Sequence, residues 1–82
     1  MDKKRLFWAS RRGMLELDII LQAFLDCTYD KLKPEEQLLY HDLLGCEDQD
    51  LFAWLMGREE PQDEATATII AIIRSSQHAP AG

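Results

Sequence analysis

Arg5, Trp8, Arg11, Arg12, Gly13 and Glu16 fall within one twelve-residue stretch, and these are the side chains of the sequence best suited to contact chemistry. A guanidinium presents a planar fork of donors that fits a carboxylate or a phosphate. A glycine can take φ > 0 and lets another backbone come close. A tryptophan between arginines has the composition of a binding hot spot, and the i, i+3, i+7 spacing of Arg5, Trp8 and Arg12 stacks them on one helix face. The competing reading makes Trp8 core and the arginines solvated. Glu16 carries a similar choice. Its i+3, i+4, i+7 and i+11 neighbours are Ile19, Ile20, Ala23 and Cys27, which places it on an apolar side of its own helix. A carboxylate there is costly unless paired. It either closes an ion pair with Arg11 or Arg12, or stands at the core's rim as a partner-facing group; in the first turn it also suits backbone N–H capping.

No catalytic set or resident cofactor or metal site is encoded elsewhere. His41 and His78 are far apart, and neither has a serine or cysteine beside it in a nucleophile pattern. Cys27 and Cys46 lack a CxxC or His/Cys pattern for zinc and are expected to be buried small hydrophobes. Glu47, Asp48 and Asp50 lack the glycine and terminal glutamate of a calcium loop. There is no glycine-rich phosphate cradle.

The elements that must position these residues read as helices. Gly13 is a natural residue just past a helix end, which puts Arg11 and Arg12 in the last turn of a first helix and Glu16 and Asp18 in the first turn of a second, each favoured by the helix dipole. Leu17, Ile20, Leu21 and Phe24 give the second helix an apolar stripe, with Asp18, Gln22 and Asp26 opposite. Pro34 fits a first helical position, followed by Glu35 and Glu36; that helix carries Leu39, Tyr40, Leu43 and Leu44 and stops at Gly45. Asp48 caps a short helix with Leu51, Phe52, Trp54 and Leu55, closed by Gly57. Asp63 caps a last helix whose inward face holds Ala65, Ile69, Ile72 and Ile73, with Arg74 near its end. The β-branched run from Thr66 to Ile73 has strand propensity, but a lone strand would have no ladder partner, so helix is expected. Residues 77–82 read as a frayed tail. The fold class is all-α: one domain over residues 1–82, a small bundle of about five short helices.

Composition bounds the function. The 82 residues are 46% hydrophobic and 29% charged, which suits one small globular domain and leaves little room for a deep substrate pocket. Residues 1–13 hold five basic side chains against Asp2, while the whole chain is −6, so the rest is strongly acidic. That balance speaks against nucleic acid, which needs many cationic phosphate contacts. No apolar run approaches the about 20 residues that span a bilayer. The opening MDKKRLFW has basic residues with no apolar stretch after them, unlike a secretory leader. A soluble, reducing compartment and no membrane insertion are expected.

Two stretches together resemble a known family. Phe7 to Asp18 reads F-W-A-S-R-R-G-M-L-E-L-D and contains Arg-Gly-x-x-Glu as Arg12, Gly13 and Glu16; Asp48 to Gly57 reads D-Q-D-L-F-A-W-L-M-G. Both are similar to segments of the SdhE family of succinate dehydrogenase flavinylation and assembly factors, and the resemblance covers nearly the whole chain. It implies a small helical bundle that acts as a chaperone, not an enzyme. Its partner would be the flavoprotein subunit of succinate dehydrogenase and of fumarate reductase. It would promote covalent attachment of FAD to a histidine there, a step considered autocatalytic in that subunit. No cofactor is implied on the chain itself. The resemblance assigns partner contact to Arg12, Gly13 and Glu16, with Arg11, Trp8 and Arg5 beside them. It also implies a bacterial cytoplasmic location and a monomer when free. Some family members have carried a second reading, as antitoxins that neutralise a toxin by protein contact.

Overall fold

The computed structural model describes residues 3–77. The elements are α1 (Lys3–Ala9), α2 (Leu15–Cys27), a single 3-10 turn (Tyr29–Lys31), α3 (Pro34–Leu43), α4 (Asp48–Leu55) and α5 (Glu64–Gln77). Five α-helices are therefore present, with no strand among the described residues, as the sequence implied. The expected tail at 77–82 lies outside the described residues, except that Gln77 is the last residue of α5.

Leu17, Leu21, Phe24 and Leu25 of α2, Tyr40 and Leu43 of α3, Leu51 and Leu55 of α4, and Ile69, Ile70 and Ile73 of α5 are all buried in one core, which Leu6 of α1 closes. Each such aliphatic side chain contributes about 1.5–3 kcal/mol by leaving water. α5 packs against α2, α3 and α4, and α1 rests on α2. Tyr40 sits at the centre, its ring 5.2 Å from Phe24 and 5.7 Å from Tyr29, centroid to centroid. The final segment is helical and Asp63 caps it as expected: its carboxylate accepts the Thr66 N–H and hydroxyl, both at 3.0 Å. Those bonds, the backbone one first, hold the Asp63 carboxyl below the usual range. The inward face differs by one residue, because Ile70 is buried where Ala65 is exposed.

The first helix ends at Ala9, three residues before the Arg12 end that the Gly13 break suggested. Its last turn closes at Ser10. The Ser10 N–H and hydroxyl both donate to the Leu6 carbonyl, at 2.9 and 2.7 Å, and the Arg11 N–H then steps back only three residues, to Trp8. Ser10 is fully buried, and its single proton is committed to Leu6, so the Tyr40 hydroxyl donates to Ser10 Oγ at 2.7 Å. Residues 11–14 then run as a connector, and Gly13 takes φ +82 at the entry to α2. Two smaller boundaries also shift. Glu47, not Asp48, occupies the capping position of α4, and the α3 end uses no left-handed glycine at Gly45, whereas Gly57 does turn at φ +76. Cys46 is half-buried, with burial the main cause of its raised thiol pKa, but Cys27 is exposed because its side of α2 faces solvent.

Burial pushes the Tyr40 phenol up to about 12 from 10.0. Above pH 10 the unfolded chain therefore holds fewer protons than the folded one, and stability contributed by Tyr40 falls as pH rises from 10 through 12. Tyr40→Phe should cost about 1 kcal/mol at neutral pH, through the donor lost to Ser10. In denaturant titrations at pH 8 to 11.5, the variant should lose less stability than the parent chain. An equal loss in both would remove Tyr40 from the alkaline transition.

Candidate interaction site at the corner between the first two helices

The sequence-selected residues cluster where α1 hands over to α2, but their roles separate. Trp8 is 60% exposed, so it is not core. Because α1 stops at Ala9, Arg12 no longer stacks over Trp8; Arg11 does so instead, its guanidinium carbon 5.6 Å from the ring centroid. Phe7 meets Trp8 edge to face at 5.9 Å. Arg5 is an exposed residue of α1.

Arg12 turns the other way. Its side chain is only 16% exposed, and its fork donates to the Leu44 carbonyl and, at 3.4 Å, to Asp48 Oδ1. It thereby ties the connector to the turn between α3 and α4, satisfying a carbonyl that the end of α3 leaves open. The guanidinium borders a cleft with Gly45, Cys46, Glu47 and Asp48. The second sequence stretch of interest thus meets the first through Arg12 and Asp48.

The backbone of the corner is held from α2. Asp18 Oδ1 accepts the Arg12 N–H at 2.6 Å and Asp18 Oδ2 the Gly13 N–H at 3.3 Å. Sequence reasoning had given Asp18 only a dipole role; an acid a few residues beyond a turn glycine was the available signal. Gly13 itself is exposed, and a Cβ built there would meet nothing within 4 Å.

Glu16 is exposed, and among the described residues it forms no ion pair with Arg11 or Arg12; Arg12 pairs with Asp48 instead. The apolar side on which it lies is real but faces outward. α2 has two apolar stripes, and the core takes the one with Leu17, Leu21, Phe24 and Leu25. The other, Leu15, Ile19, Ala23 and Cys27, remains outside, with Leu15 75% and Ile19 59% exposed. Phe7, Leu15, Ile19 and Ala23 line one shallow groove along it, edged by Arg11, Asp18, Gln22 and Asp26. Exposed apolar side chains concentrated in this way mark interaction surfaces.

The remaining candidates are tied into the fold or beyond it. His41 Nε2 lies 2.7 Å from the Tyr29 hydroxyl and its ring stacks on Tyr29, while His78 is outside the described residues. No group of acidic, histidine or cysteine residues among those described could hold a metal ion, and no described helix is long and apolar enough to cross a membrane.

Fold and site define a small helical module with a charged corner and an exposed, largely apolar groove. A family model described as flavinator of succinate dehydrogenase matches residues 4–77. The chain is 47% identical over 74 residues to the FAD assembly factor SdhE of Idiomarina loihiensis, covering 90% of this chain and 82% of that one. It is 49% identical over 72 residues to the SdhE of Pseudomonas aeruginosa (88% and 86% covered) and 46% over 74 residues to that of Shewanella oneidensis (90% of each). The chain belongs to the family of succinate dehydrogenase flavinators and SdhE assembly factors.

The geometry separates Arg12 from Glu16 in stability. Arg12→Ala strips a partner from the Leu44 carbonyl and from Asp48 and should cost about 1–2 kcal/mol, lowering Tm by roughly 5–15 °C in a domain this small. Glu16→Ala should stay within about 0.5 kcal/mol. Thermal melts of the two variants check this; equal losses would contradict the assignment.

Proposed function

We propose that this chain is an FAD assembly factor: it binds the flavoprotein subunit of succinate dehydrogenase and promotes covalent attachment of FAD to that subunit. The observation that carries the reading is the Gly13–Glu16 edge, an open glycine corner beside an unpaired surface carboxylate, within a chain nearly half identical to proteins named for this task. The contact set is Gly13, Glu16, Arg11, Trp8 and Arg5, with Arg12 holding the corner from behind. The outer apolar row of Leu15 and Ile19 supports it, since it adjoins Glu16 and supplies the desolvated area a specific interface needs.

The chain works as a chaperone and not as an enzyme. Arg11 on Trp8 offers donors to a partner carboxylate, Gly13 admits partner backbone, and Glu16 accepts from a partner donor. Each contact favours one conformation of the flavoprotein, and a binder shifts a partner's population only by such differential affinity. FAD is then the partner's prosthetic group, whose attachment proceeds on the partner's own residues. This chain brings no cofactor of its own; its sequence lacks a phosphate-cradling glycine loop. We extend the partner range to the fumarate reductase flavoprotein and place the chain in the bacterial cytoplasm as a monomer when free. The antitoxin reading has no observation in its favour.

Gly13→Arg tests the reading. The φ of +82 adds about 1 kcal/mol of strain for a residue with a Cβ, but the space around Gly13 is open, so the helices should survive. In a strain lacking its own assembly factor, the variant should leave the flavoprotein without covalent FAD by in-gel flavin fluorescence, with a near-parental helical circular dichroism spectrum. Full flavinylation would refute the contact surface.

A further inference from the structure

A glycine is not held at positive φ by its own sterics, because it populates both signs of φ about equally. Something else must keep Gly13 at +82. The connector before α2 has no regular backbone ladder, and the amides of Arg12 and Gly13 both end on one carboxylate, that of Asp18. Asp18 is itself anchored: it lies in the first turn of α2, half-buried, and its own N–H donates to the Met14 carbonyl at 2.8 Å. The dipole favours its charge there, and charge-assisted bonds to two successive amides fix the peptide planes on either side of the Arg12 Cα, so Gly13 must supply the turn that carries the chain from the second plane into α2.

We infer that Asp18 is a positioning residue for the partner surface, locking Gly13 in the left-handed conformation that sets the height and direction of the Gly13–Glu16 edge. The inference rests on the assembly-factor reading. Both Asp18 oxygens accept amides of the corner, so Asp18 acts on the edge through Gly13, although its side chain also borders the groove along α2. Without it the free corner spreads over other conformations, and apparent affinity falls by the fraction that remains competent.

The test titrates the full-length chain against purified, unflavinylated flavoprotein subunit with FAD present and reads covalent flavin. Asp18→Ala should raise the concentration for half-maximal flavinylation about tenfold with the plateau unchanged, and the Gly13 amide should lose its protection from hydrogen exchange. Asp18→Asn, which keeps one acceptor oxygen, should fall between; it carries the test if the alanine variant does not fold. Asp63→Ala is the control, since it removes the carboxylate that caps α5 and should lower Tm while keeping the parental dose response. An Asp18→Ala or Asp18→Asn curve that coincides with Asp63→Ala overturns the inference. Glu16→Ala and Gly13→Arg in the same assay separate the two claims: if both support parental flavinylation, the assembly-factor surface itself fails. If both are inactive while Asp18→Ala behaves like Asp63→Ala, only the Asp18 assignment falls.

Discussion

The corner formed by Arg12 and Gly13 is the constraint on which the surface of this protein depends. It joins a seven-residue helix to the main helix of the bundle through a connector with little bonding of its own. Asp18 fastens its amides, and the Arg12 fork fastens it to the α3–α4 turn through Leu44 and Asp48. These bonds come from different elements, α2 on one side and the α3–α4 turn on the other, so the corner is held from both. A short helix is marginal in isolation; α1 is held by Leu6 in the core, by Ser10 beneath Tyr40 and by the Lys3–Asp30 pair.

That anchoring leaves the outer face of α2 exposed. α2 carries more apolar side chains than the core can accept, and the excess row lies outward next to Glu16 and below Arg11 and Trp8. The basic head of an otherwise acidic chain, Lys3, Lys4, Arg5 and Arg11, lies on α1 and the connector after it. A polarised distribution of this kind orients an encounter before contact is made. The buried side chains give the fold its stability, and the exposed ones contribute little to it, which is the division expected of a protein that works by presenting a surface.

Most of the fold was legible in the sequence. Pro34, Gly57 and Asp63 act where their chemistry says they should, and the periodicity of Leu17, Leu21 and Phe24 points to the core. The errors have a common physical origin. Local spacing shows that α2 has apolar residues on two sides but cannot say which side the rest of the chain covers, so it left Glu16 open between an ion pair with Arg11 or Arg12 and an outward-facing place, and the structure shows it exposed. Gly13 was read correctly as a left-handed turn and wrongly as the end of α1, because the helix closes at Ser10, which is buried against Tyr40, thirty residues away. Arg12 was grouped with Trp8 by spacing; its tie to Leu44 and Asp48 is a long-range contact that no local pattern encodes.

The central claim is that the corner is already built in the free chain, with Arg12 turned inward and the Gly13–Glu16 edge turned outward. Arginine side-chain Nε–H signals of the isotope-labelled chain, followed by NMR as unflavinylated flavoprotein subunit is added, test it most directly. The account predicts that the buried Arg12 Nε–H signal keeps its position on binding, while the Arg11 Nε–H and the backbone amides of Gly13 and Glu16 shift or broaden. A shift of the Arg12 Nε–H with those of the surface, showing that the fork leaves Leu44 and Asp48 to engage the partner, would contradict it.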